Sequence, residues 1–287
     1  MRRVLKILGI SLLATVIYII ASAVIPFSAS FQEMNQDADP AGLIYLFIVH
    51  VWITSSVFYI GKKSTWNKKW LNVSVLTVFI AVYGFMTQIE TIFFQDAFEA
   101  LSKSDGWFIM LTNVIALLVI IPLTLAGIKR SSSEGKPDIE IKLNFILPRV
   151  ALLALIYMLI YFLFGYFVAW QFADVREFYT GTPNKDSFLQ VMAGNMQDSY
   201  IIPFQFIRGL LFSIFSLPIV LMFRNRKREL LISLLLIYAT TAIVLIIPNA
   251  LFPDQVRWAH FLEMTTSMSL FSLITWLVWV KPRPAGP

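Results

Sequence analysis

Long apolar runs separated by short polar segments set the pattern of this chain. Eight runs stand out, at 6–27, 41–60, 70–91, 107–128, 148–171, 199–223, 230–248 and 257–280. Each approaches the ~20 residues that a helix needs to cross a ~30 Å hydrocarbon core. Barrel strands would alternate over about ten residues, and these runs are continuous. The pattern predicts an all-α, polytopic integral membrane helix bundle of eight transmembrane helices, with 1–287 as a single transmembrane domain.

Local signals mark the boundaries. Asp39-Pro40 offers an N-cap and a first-turn proline to the second helix, and Asp198 can cap the sixth. Gly61 and Gly127 fall where C-cap glycines belong. The 129–147 connection holds the polar stretch Ser131-Ser132-Ser133-Glu134-Gly135-Lys136-Pro137, a linker. The 172–198 connection is the longest external loop. In it Phe172 to Tyr179 is expected to prolong the fifth helix, Thr180 to Asn184 to turn, and 187–194 to form one short helix. In 93–101, Phe93, Phe94, Ala97, Phe98 and Leu101 share a helical face opposite Gln95, Asp96 and Glu99, which suits an interfacial helix. The two halves show no repeat of the inverted-transporter kind.

Composition narrows the class further. Hydrophobic residues make up 58% and charged residues 14%, with a mean hydropathy of +0.73. A soluble domain carries roughly 45–50% apolar and about 25% charged residues, so this chain cannot cover itself with polar side chains in water. Disorder, a coiled coil and a nucleic-acid partner are excluded with it. The lipid bilayer is the expected partner. Seven of the eight tryptophans (Trp66, Trp70, Trp107, Trp170, Trp258, Trp276 and Trp279) lie near predicted helix ends, as an aromatic belt requires.

Charge sets the orientation. Eighteen of the 23 basic residues fall on the side holding the N-terminus, the 61–69, 129–149 and 224–229 loops and the tail, whereas only four of the 17 acidic residues do. Every loop agrees with strict alternation, so both termini are expected in the cytoplasm. The compact loops point to a bacterial plasma membrane. Arg2-Arg3 followed by an apolar run and Ala21-Ser22-Ala23 resembles a signal peptide, but the run exceeds the ~7–15 residues of a signal core, and retention of the first helix is expected.

The polar residues inside the runs carry the candidate chemistry. A charge at the bilayer centre costs ~2.5–3.5 kcal/mol on the insertion scale and usually faces a protein interior. In the eighth helix Arg257, His260, Glu263 and Ser267 are spaced three, three and four, on one face. Arg208 lies in the sixth helix with Gln205 on its face, and Glu90 ends the third. Glu90, Arg208, Arg257, His260 and Glu263 are the candidate binding residues. Arg208 would anchor an anion, a role a guanidinium fork suits. His260 and Glu263 would exchange a proton, and Glu90 and Arg257 would stand at the mouth, with Asp174, Arg176 and Glu177 as an outer rim. The bland alternatives are an ion pair of Arg208 with Glu90 or Glu263, a His260–Glu263 pair that satisfies itself, and an Arg257 that snorkels to the interface. His50 is expected to be a hydrogen-bonded packing residue.

Catalytic residues are not assignable. There is no Cys and only two His, so thiolate chemistry and a three-His metal site are excluded. No G-x-S-x-G elbow, phosphate loop or dinucleotide fingerprint occurs, and no cofactor is implied. The expected function is binding or transport of a small polar or anionic ligand at an outward-facing site. The alternatives are an intramembrane metal-dependent hydrolase or transferase using Glu90, His260 and Glu263, and a structural or assembly factor.

Overall fold

The computed structural model describes residues 1–36, 39–93, 101–129, 135, 142–249 and 251–280. Among them there is no strand, only an isolated bridge between Trp66 and Gly135. Eight helical segments are long and apolar enough to cross a membrane. They are α1 (Arg2–Val24), α3 (Gly42–Lys63), α4 (Lys68–Phe79, continued by a π-helical turn, Ile80–Met86), α6 (Asp105–Ala126), α7 (Leu143–Phe167), α10 (Ile201–Phe223), α11 (Lys227–Tyr238, continued by α12, Thr240–Ile243, and a 3₁₀ turn, Val244–Ile246) and α13 (Asp254–Val280). The short helices are α2 (Ala29–Met34), α5 (Ile89–Phe93), α8 (Ala173–Thr180) and α9 (Phe188–Gln197).

Side-chain pairs fix how the helices run. Ser11 bonds Thr54 and Thr15 bonds His50, so α1 and α3 are antiparallel. Arg208 meets Glu90 while Phe215 meets Phe85, which makes α10 antiparallel to the α4–α5 segment. Trp276 donates to Lys227 O, and Arg257 to Leu245 O, so α11 and α13 are antiparallel too. One end of the bundle gathers Lys6 beside Gly127, Arg226 on Lys63 O and Arg149 on Val278 O. The other gathers Ser28 on Asp105, Glu90 on Arg208 and Tyr179 on His260.

The faces are inside-out relative to a soluble bundle. In α13 the buried positions include Arg257, Glu263, Ser267, Ser272 and Thr275, while Leu262, Leu270, Leu273 and Leu277 are exposed. In α7 the exposed positions include Leu152, Leu155, Leu159 and Leu163. Buried hydroxyls direct their hydrogen bonds mostly to their own helices, as Ser213 does to Gly209 O and Ser272 to Met268 O, so they need no water.

The tightest crossing is α7 on α10. A Cβ added at Gly209 would lie 2.7 Å from both Cα and O of Ala154 and 2.9 Å from Cβ of Tyr157. Only glycine lets the two backbones approach this closely. Backbone atoms cannot swing aside, so Gly209→Val is expected to cost about 1–3 kcal/mol, read as a lowered denaturation midpoint in mixed micelles. An unchanged midpoint would mean that the two helices sit further apart. Beside this crossing Tyr157, Phe212, Tyr238 and Phe271 form a buried aromatic cluster joining α7, α10, α11 and α13.

Several boundaries differ from the sequence reading. The third helix does not run unbroken to residue 91. It ends at Met86 after the π turn, and Glu90 sits on the separate helix α5. A π turn inserts one residue and rotates the helix beyond it, so Tyr83 is buried in the core whereas Thr87 and Glu90 face a cavity. The fifth helix is not prolonged through Tyr179, because Phe172 is extended (φ −82°, ψ 129°) and α8 starts afresh. Gly61 is not a C-cap. Helix α3 runs on to Lys63, and Gly61 instead makes room for Leu125 and Ile128. Gly127 does occupy a C-cap, in a right-handed conformation and under the Lys6 side chain. Asp39 caps a turn ahead of α3, accepting from Ala41 N at 2.8 Å, and Asp198 accepts from Tyr200 N at 3.0 Å. The expected interfacial helix at 93–101 lies outside the described residues except for Phe93 and Leu101. Of the linker and tail, residues 130–134, 136–141 and 281–287 do too.

Candidate functional site

Four segments bring the site together at the acidic end. Helix α5 supplies Glu90, α10 supplies Arg208 and Gln205, α13 supplies His260 and Glu263, and α8 supplies Tyr179. They meet around a cavity of about 550 Å³ whose described lining includes Glu90, Arg208, His260, Glu263 and Tyr179. Its remaining wall is largely apolar, from Met86, Phe162, Val191, Met192, Leu245 and Met264. The buried Tyr157–Phe212–Tyr238–Phe271 cluster stands toward the basic end, one turn below Tyr161 and Arg208 in sequence.

Arg208 is the anchor of the site. Its side chain is 3% exposed, that of Glu90 38%. Nη1 donates both to Glu90 Oε1 and to Gln205 Oε1, the latter at 2.9 Å. The guanidinium also lies 5.7 Å from the Tyr157 ring and 5.8 Å from the Tyr161 ring, where the ring faces attract it. Its donors are not used up. Nε of Arg208 and Nε2 of Gln205 are buried with no partner among the described residues, and Nη2 makes no hydrogen bond with them either. A guanidinium carries five N–H donors, and this one satisfies a minority of them.

The second polar group is a chain of three. Tyr179 Oη lies 3.2 Å from His260 Nε2, and His260 Nδ1 lies 2.9 Å from Glu263 Oε2. Tyr179 is 42% exposed, but its hydroxyl end faces the cavity wall. Burial, with Glu90 and Glu263 nearby, raises this phenol above its ordinary value, so it keeps its proton. His260 thus stands between the Tyr179 hydroxyl and the Glu263 carboxylate, with Nδ1 turned to the carboxylate. Glu263 Oε1 accepts from no described residue. Phe252 and Tyr179 flank the imidazole at 6.0 and 5.8 Å.

Not every expected residue joins. Arg257 is 3% exposed and does not snorkel. It donates to Leu245 O (2.9 Å), Ile246 O (3.0 Å) and Asp254 Oδ1 (2.7 Å). The 3₁₀ turn at Val244–Ile246 ends at an extended Ile247 before Pro248. That leaves carbonyls without helical partners, and Arg257 takes them. The expected rim also changes, because Arg176 is buried and clamps Pro183 O (2.7 Å) and Trp170 O (2.6 Å), while Asp174 and Glu177 are exposed. His50 sits far away between α1 and α3, bonded to Thr15 at 2.8 Å and fully buried.

Tyr179 was missed in the sequence. Its signal was the 175/178/179 spacing in α8, where Val175 packs on Val256 and Ala259 of α13. That docking delivers Tyr179 to His260, one turn further along α13. Comparison with family models, with characterised proteins and with solved structures finds no match for this chain.

Proposed function

We propose that the chain is a multi-pass plasma-membrane protein with its basic end in the cytoplasm, binding a small molecule through a polar or anionic group in an outward-facing cavity. The observation that carries this is Arg208, a buried guanidinium with unused donors at the wall of a 550 Å³ cavity. A purely structural arginine would be expected to commit its donors to the protein; Arg257 places both terminal nitrogens on protein acceptors and leaves only Nε without one, whereas Arg208 leaves Nη2 as well as Nε. Membrane insertion is supported by the outward leucines of α7 and α13, which in water would form an apolar surface far larger than monomers tolerate. Orientation is supported by the basic loops. The aromatic cluster favours a binding site, or the outward state of a transporter, over an open channel.

The metal-dependent reading gains no such support. Glu90 is engaged by Arg208, and among the described residues no three His, Asp or Glu converge where one ion would reach them. Native mass spectrometry of protein released from mild detergent tests the proposal. Wild type is expected to carry an adduct of defined mass that Arg208→Met loses. A bare wild type, or an adduct indifferent to Arg208→Met, overturns it.

A further inference from the structure

Resting on that reading, we infer that the ligand is a zwitterionic membrane amphiphile, with a phosphate on Arg208, an ammonium on Glu263 and acyl chains leaving past α9. The charge of the cavity selects the headgroup. Its described lining holds two carboxylates, Glu90 and Glu263, against one guanidinium, with His260 hydrogen-bonded to Glu263 through Nδ1. A simple anion would satisfy Arg208 but leave Glu263 Oε1, which accepts from no described residue, without a donor. A simple cation would leave the spare donors of Arg208 unused. A phosphate joined to an ammonium answers both. The phosphate accepts from Nη2 of Arg208, and the ammonium meets Glu263 Oε1 near the rings of Tyr179 and Phe252.

The wall at α9 selects the tail. This helix has no charged residue. It turns Val191 and Met192 onto the cavity, while Leu189 is 77% and Met196 69% exposed on its outside. Tyr200 and Ile207, beyond its C-terminal end, are exposed as well. Apolar side chains therefore line both sides of a single helix between the charged pole and the surface that faces lipid. A water-soluble ligand has no use for such a wall, whereas an acyl chain does. Helix α9 is held by the Ser187–Gln190 capping box and by Phe188 against Tyr166 and Phe167.

Gly165 provides a plug. It lines the cavity, and a Cβ added there meets nothing within 4 Å. Gly165→Leu directs a branched side chain from that open Cβ position into the space for the ligand. The test uses delipidated protein in mild detergent, offered phosphatidylethanolamine, phosphatidylglycerol with the same acyl chains, or free phosphoethanolamine, and read by native mass spectrometry. Phosphatidylethanolamine is expected to bind one to one, at least tenfold more tightly than phosphatidylglycerol, and free phosphoethanolamine not to compete at equal concentration. Gly165→Leu and Arg208→Met should both lose it, and Glu263→Gln should narrow the preference toward one. Equal binding of the two lipids by wild type, or competition by phosphoethanolamine at equal concentration, overturns the inference. If Gly165→Leu fails to run as a monodisperse peak, the decision rests on Arg208→Met and the lipid ratio. An adduct of another chemistry that depends on Arg208 would overturn this inference and leave the binding reading standing. No Arg208-dependent adduct at all would overturn both.

Discussion

Glu90→Gln is expected to lower the unfolding free energy by about 3 kcal/mol, the lower end of the ~3–5 kcal/mol lost when a buried ion pair is deprived of one partner. It leaves Arg208, whose side chain is 3% exposed, with neutral amide acceptors only, Gln205 and the introduced amide. Arg208→Met is expected to cost less, because the stranded carboxylate is 38% exposed and reaches the cavity mouth. The double substitution should recover most of the Glu90→Gln loss, since no buried charge then remains. Denaturation midpoints of the four proteins in mixed micelles give the cycle. Equal losses for the two single substitutions would show that the pair is not asymmetrically buried. The pair would then be a structural strut, and Arg208 a poorer candidate for a ligand anchor.

Arg257→Ala is the second large effect, and it separates structure from binding. Two carbonyls, the part-buried Leu245 O and the buried Ile246 O, lose charge-assisted donors at 2.9 and 3.0 Å. Leaving buried acceptors unsatisfied costs ~1–3 kcal/mol each, so the expected loss is about 3 kcal/mol. Ligand retention at low temperature should stay as in wild type, because Arg257 does not reach the cavity. A fall in retention with an unchanged midpoint would return Arg257 to the site where its helical spacing first placed it.

That spacing shows what the sequence can and cannot convey. Apolar runs long enough to span a membrane are set by length and composition, and the eight helices track them closely. Face periodicity grouped Arg257, His260 and Glu263, and the structure joins the last two directly. It did not reveal that Arg257 would turn to the frayed end of α11, because that end forms through a 3₁₀ turn before Pro248 rather than through a helical repeat. Glu90 was offered, beside Glu263, as an alternative ion-pair partner of Arg208, and the structure pairs it with Arg208. Its presentation on α5 depends on a π turn that shifts the register and leaves no trace in periodicity. Tyr179 and Gly165 belong to the cavity through tertiary docking of α8 and α7, which no local pattern specifies.

The absence of cysteine makes the central claim directly measurable. Asn195 lines the cavity from α9, and Thr65 is exposed at the basic end between α3 and α4. Single-cysteine proteins carrying Asn195→Cys or Thr65→Cys can be labelled in intact cells with a membrane-impermeant maleimide. Asn195→Cys is expected to label from outside, and faster when Arg208→Met in the same chain empties the cavity, while Thr65→Cys labels only after permeabilisation. Labelling of Asn195→Cys only in permeabilised cells, or at a rate indifferent to Arg208→Met, would contradict an outward cavity filled by a ligand on Arg208.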